Sequence, residues 1–99
     1  MTLKSMTNPY TETLETQHGT GRTYVVRTFD ESVEIDDLVW HRDTTSRKVH
    51  VLSGVEWKLQ HDDELPVHLE IGKEYYIPKM QYHRLIKGEG NLVIRIENI

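Results

Sequence analysis

His41 and Asp43 are separated by one residue. On an extended segment side chains alternate, so these two share a face while Trp40 and Arg42 point the other way. A His-x-Asp pair of this kind is a two-ligand clip for a metal ion, and the third donor must come from another strand. His83 is the candidate, because it follows Pro78 and opens the strand-like run Tyr82–Ile86. Two imidazoles and one carboxylate suit a borderline divalent ion and leave positions open for substrate or dioxygen, which favours Fe(II) or Mn(II) over Ni(II) or Zn(II). The spacing alone is a weak signal, since six histidines in 99 residues make a chance His-x-Asp easy to find. The remaining histidines have ordinary readings: His18 sits in a polar tail, His61 and His68 flank an acidic turn, and His50 falls on the face opposite Arg47.

These donors need strands to hold them. The chain has no alanine, while Val, Ile and Thr supply 26 of its 99 residues, a choice that favours pleated strands over helices. From Arg22 onward, apolar or alternating runs recur about every ten residues with turn chemistry between them, the pattern of an all-β sandwich or barrel. The expected strands are Arg22–Thr28, Ser32–Ile35, Leu38–His41, Lys48–Leu52, Val55–Gln60, Val67–Ile71, Tyr75–Ile77, Tyr82–Ile86 and Leu92–Ile96. Ser53-Gly54 reads as a tight hairpin turn and Lys87-Gly88-Glu89-Gly90-Asn91 as a looser one. Glu31–Val39 admits a short helical turn with Ser32 as its cap. Residues 1–20, with Leu3, Met6, Tyr10 and Leu14 scattered among polar residues, are expected to be a tail or an edge-strand arm. Residues 21–99 are then one domain.

Composition narrows the function classes. A net charge of −4 with interspersed signs provides no footprint for a polyphosphate, so nucleic acid is not an expected partner. No apolar run approaches a membrane span, and Met1–Met6 lacks the core of a signal peptide. With no cysteine, disulfides, thiolate ligands and a cysteine nucleophile are all excluded, and a cytoplasmic location is expected. The acidic run Asp62-Asp63-Glu64 before Leu65-Pro66 reads as a solvated turn.

From Val39 to Ile96 the chain resembles the cupin family. That family's first motif runs His, any residue, His, a few residues, Glu, six residues, Gly; here His41, Asp43, Arg47 and Gly54 hold those places. The second runs Gly, five residues, Pro, any residue, Gly, two residues, His, three residues, Asn; here Gly72, Pro78, Met80, His83 and Lys87 hold them. The 17 residues between Gly54 and Gly72 match the short inter-motif segment of small microbial cupins. The resemblance implies a double-stranded β-helix or jelly-roll barrel, a homodimer, and metal ligation by His41, Asp43 and His83. It also puts Arg47 where a glutamate ligand is usual, and a guanidinium cannot ligate a cation.

Two outcomes follow for Arg47. Either it ion-pairs with Asp43 and the barrel is a metal-free pocket, or it stands back from a three-ligand site and binds a substrate carboxylate or phosphate bidentately. Val49 and Val51, which share a face with Arg47, are expected to wall the cavity, and Trp57 is weighed both as a stacking surface for a ligand and as plain core. Arg84 is expected to face away from His83 and form a surface or interface ion pair. The His-x-Asp pattern is also similar to that of the 2-oxoglutarate-dependent oxygenases, with Arg95 at the cosubstrate position, although those enzymes are much longer. The functional expectation is a metal-dependent oxygenase, isomerase or lyase acting on a small anion, with no catalytic acid or base assignable. The alternative is a metal-free, non-catalytic binding or assembly module.

Overall fold

The computed structural model describes residues 9–99, so the expectations for Leu3 and Met6 lie outside the described residues. Eight strands follow in order: β1 Thr11–Thr16, β2 Thr23–Phe29, β3 Arg47–Val55, β4 Lys58–His61, β5 Val67–His68, β6 Glu74–Ile77, β7 His83–Ile86 and β8 Glu89–Asn98. They form a five-stranded sheet of order β1-β2-β8-β3-β6 and a three-stranded sheet of order β5-β4-β7, with every pairing antiparallel. The result is a jelly roll whose two sheets do not join into one closed ladder. Among the described residues no helix is long and apolar enough to cross a membrane.

The core follows from period-two alternation. Leu92, Ile94 and Ile96 are buried on β8 while Val93 and Arg95 are not, and Val49 and Val51 are buried on β3. These side chains meet Leu59, Leu69 and Trp57 from the side of the smaller sheet. Burial on this scale stabilises each of the larger side chains by about 1.5–3 kcal/mol.

Several local expectations are corrected. Ser53-Gly54 is no hairpin turn. Both residues lie inside β3, where the register with β8 slips between Val51 and Ser53 and again between Ser53 and Val55, as a bulge does. The chain changes sheets one step later, at Glu56-Trp57, with Glu56 at φ 60°. The second expected turn is shorter than five residues, because β8 already begins at Glu89. Gly88 is required there: a Cβ on it would lie 2.1 Å from the Val55 carbonyl oxygen and 2.4 Å from the Trp57 nitrogen.

Ser32–Ile35 and Leu38–His41 are not strands. Asp30 Oδ1 accepts hydrogen bonds from the Ser32 nitrogen and hydroxyl at 2.8 and 2.6 Å, and this Asx-type turn bends the chain before it can pair. A 3-10 turn over Ile35–Asp37 follows, started from Glu34 rather than capped by Ser32. Only His41 makes a sheet contact, an isolated bridge to His83. Thr11–Thr16 of the polar N-terminal segment forms the edge strand β1, paired with β2 through six residues.

Met80 explains how a departure from the family motif is accommodated. It stands at the motif's second glycine and still adopts φ 65°, a conformation that costs a side-chain-bearing residue about 1–2 kcal/mol. Its nitrogen donates to the Asp43 carbonyl oxygen at 2.7 Å, so the strained turn is tied to the His41–Asp43 segment. Relief of that strain exceeds the extra chain entropy of glycine, about 0.5–1 kcal/mol. Met80→Gly is therefore expected to raise the melting temperature by a few degrees, and a fall would show that the Met80 side chain holds the turn by packing.

Candidate metal centre

Two reciprocal backbone hydrogen bonds, His41 N to His83 O at 3.0 Å and His83 N to His41 O at 2.9 Å, lock the bridge that presents the histidines side by side. Their ring centroids are 4.3 Å apart and tilted by 62°. Two residues further on, Asp43 returns to the same face, as alternation requires. One potential donor atom from each of His41, Asp43 and His83 lies within 4.8 Å of the others. His83 is buried and His41 is exposed, so the cluster reaches from the barrel interior to its mouth.

The hydrogen bonds fix which atoms face inward. His41 Nδ1 lies 3.1 Å from the Val39 carbonyl oxygen and His83 Nδ1 lies 2.9 Å from the Gln81 carbonyl oxygen. A carbonyl only accepts, so each Nδ1 carries the proton and each Nε2 of a neutral ring presents a lone pair. His83 Nε2 then faces Asp43 Oδ2 at 3.3 Å, and that buried oxygen has no hydrogen-bond donor. Two facing lone pairs at this separation, one of them on a buried atom without a donor, are what a cation between them would satisfy. Protonating His83 is the costly way to supply one, because burial holds its pKa below the ordinary 6.5, aided by the charges of His41 and His61 and opposed by the Gln81 hydrogen bond and Asp43. A divalent ion fits the donor set, since the separation is close to that of neighbouring ligands on one ion with bonds of about 2.0–2.2 Å.

The depressed pKa carries a sign. The unfolded chain binds a proton at His83 more readily than the native one, so metal-free stability is full above about pH 6.5 and declines as the pH falls through the window below it. Denaturant unfolding in chelator at pH 7.5 and 5.5 is expected to show the loss in the wild type and less of it in His83→Gln. Equal losses in both proteins would place the linkage elsewhere.

Arg47 stands beside the cluster. Its Nη1 is 3.5 Å from Asp43 Oδ1, the oxygen turned away from His83, and its Nε is buried without a hydrogen-bond partner. The two outcomes weighed for Arg47 are thus not exclusive in geometry: it touches one oxygen of Asp43 and leaves the other to the imidazoles. A cavity of about 290 Å³ opens here, lined by His41, Asp43, Arg47, Arg27, Phe29 and Leu85 together with Leu38, Val39, Asp37, Tyr10 and Pro9. That is room for about ten waters. A smaller one of about 50 Å³ continues inward past His83, Val49, Leu59 and Ile77.

Other expected residues fall elsewhere. Val49 lines the inner cavity, whereas Val51 is closed off in the core. Trp57 lines neither cavity; it is wholly buried, 6.1 Å from the Phe29 ring between centroids, and takes the core role. Arg84 does face away from His83, but it stacks at 4.7 Å over Trp40 and donates to Gln60, and among the described residues it joins no ion pair. Arg95 packs over Tyr24 at 4.7 Å, away from both cavities.

Two residues escaped the sequence reading. His61 is directly opposite His83 on β4, with ring centroids 6.4 Å apart and its Nε2 buried and unpartnered. Its alternation with buried Leu59 was the signal, masked by the acidic turn beside it. Arg27 lines both cavities, and its alternation with Val25 and Phe29 already placed a cation on a core-facing register.

These features define the class as a small antiparallel two-sheet roll in which two histidines and a carboxylate come together as a group that could hold a metal ion. Comparison of folds gives that class its name. No family model and no curated sequence matches the chain. Solved structures do: DMSP lyase DddQ from Ruegeria pomeroyi, at TM-score 0.71 and 11% identity over 93% of this chain and 47% of that one; HppE with Fe(II), at 0.68 and 18% over 92% and 51%; and a cupin domain from Bordetella pertussis, at 0.60 and 17% over 95% and 98%. The fold is that of the cupin superfamily. The chain spans 37% and 47% of the length of two DMSP lyase chains that it matches.

Proposed function

We propose that this barrel binds a divalent metal through His41, Asp43 and His83, with Fe(II) or Mn(II) favoured, and takes a small organic anion at Arg47. The observation that carries the reading is the buried Asp43 Oδ2 set 3.3 Å from the His83 Nε2 lone pair with no donor of its own. Likeness to a DMSP lyase and to Fe(II) HppE supports a metal-dependent lyase, oxygenase or isomerase. A bound ion would supply Lewis acidity or a site for dioxygen. The chain's own residues do the rest. Arg47, whose buried Nε lacks a partner, holds the anion's acidic group beside the cluster. Phe29, Leu38, Val39 and Leu85 shelter its carbon skeleton from water. The Val39 and Gln81 carbonyls keep both imidazoles in the ligating tautomer.

A metal-free binding module is the second reading, and the Arg47–Asp43 contact at 3.5 Å favours it. We extend the proposal to a homodimer, because all six residues of β1 are exposed on an open sheet edge. Calorimetric titration of butyrate into manganese-saturated protein tests the anion site. A charge-assisted hydrogen bond contributes about 1.5–3 kcal/mol, so Arg47→Gln is expected to weaken binding roughly 10–100-fold. Unchanged affinity in a folded variant would remove Arg47 from the site.

A further inference from the structure

Arg27 places a permanent cation on the inward register of β2, with its side chain only 14% exposed. Its Nε and Nη2 both donate to Glu12 Oε2, at 3.0 and 2.8 Å, and its guanidinium carbon lies 3.8 Å from the Tyr10 ring centroid. This pairing is lopsided. A guanidinium is best satisfied by both oxygens of one carboxylate in a fork, whereas here one oxygen takes two donors, and Glu12 reaches in from a 41% exposed position. Arg27 and Arg47 line the same cavity, so two guanidinium groups address one space.

They come from strands on either side of β8 in the larger sheet. Arg27 pairs with Ile94 on β8, Ile94 pairs with Val51 on β3, and Arg47 lies four residues from Val51, which separates the two backbones by about 16 Å at ordinary strand spacing and rise. The same cavity is lined by Phe29, Leu38, Val39 and Leu85, a surface for a hydrocarbon spacer, and its acidic members are Asp37 and Asp43, the latter already engaged by Arg47. Resting on the reading that Arg47 takes an anion, we propose that Arg27 is a second anion anchor, that the pocket selects small organic dianions, and that Glu12 holds Arg27 until the ligand's second acidic group displaces it.

Succinate and butyrate, equal in carbon number and different by one carboxylate, are the probes, titrated calorimetrically into manganese-saturated protein at fixed ionic strength. Wild type is expected to bind succinate at least tenfold more tightly than butyrate. Arg27→Gln is expected to erase that advantage. Glu12→Gln, on the exposed edge strand, removes the competitor and is expected to raise the succinate-to-butyrate affinity ratio several-fold, an effect that a merely structural ion pair would not produce. A preference that survives Arg27→Gln, or a ratio that falls in Glu12→Gln, overturns the second anchor while leaving Arg47 in place. Failure of wild type to bind either acid overturns both readings.

Discussion

Asp43→Asn is expected to lose more than about 100-fold in divalent-metal affinity, since even residues that only orient ligands are worth about 10–100-fold. The same substitution is expected to leave the metal-free barrel at least as stable as the wild type. An amide in place of the carboxylate can turn a donor toward the His83 Nε2 lone pair, which now faces the unpartnered Asp43 Oδ2 at 3.3 Å. The melting temperatures should therefore cross. In chelator the variant equals or exceeds the wild type, and in excess Mn(II) the wild type rises above it. At a free metal concentration of 100 Kd the gain is about 2.7 kcal/mol. That corresponds to roughly 10–20 °C for a domain of this size. A variant that melts lower than the wild type in chelator would mean that Asp43 stabilises the barrel through Arg47 alone.

Trp57→Ala is expected to cost about 3–5 kcal/mol, the usual loss for a large aromatic truncated in a core. The melting temperature should fall by more than about 12 °C. Trp57 is wholly buried, and its carbonyl oxygen accepts from the Leu69 nitrogen at 2.9 Å where the chain passes between sheets. Trp57→Phe separates packing from ligand contact. Its Nε1 is buried with no acceptor, so phenylalanine keeps most of the apolar contact and removes an unsatisfied donor. That variant should fold and bind metal and butyrate as the wild type does. Loss of butyrate affinity in folded Trp57→Phe would restore Trp57 to the ligand wall.

Much of this geometry was legible because period-two alternation is a local property. It put His41 and Asp43 on one face and Arg42 on the other, and the motif spacing supplied His83 from a distant strand. Alternation failed where side-chain chemistry outbid strand pairing: Asp30 captured Ser32 and bent the chain through Val33. It failed again at Ser53-Gly54, where a turn-like dipeptide serves a bulge inside β3. Arg27 and His61 were hidden for another reason. Each looks like a surface residue by its own chemistry, and although alternation with Phe29 or Leu59 hints at an inward register, pairing to β8 and β7 is what turns that hint into a position. The sign of the Arg47 contribution also depended on distance, because only coordinates separate the Asp43 oxygen it touches from the one it leaves to the histidines.

Metal content is the direct test of the account. Untagged protein purified without chelator, alongside an Asp43→Ala variant, is to be analysed by elemental mass spectrometry before and after anaerobic reconstitution with Fe(II) and Mn(II). Near-stoichiometric iron or manganese in the wild type, lost in the variant, is the predicted result. A wild type that holds no metal even after reconstitution would contradict it and leave a binding barrel in which Arg47 neutralises Asp43.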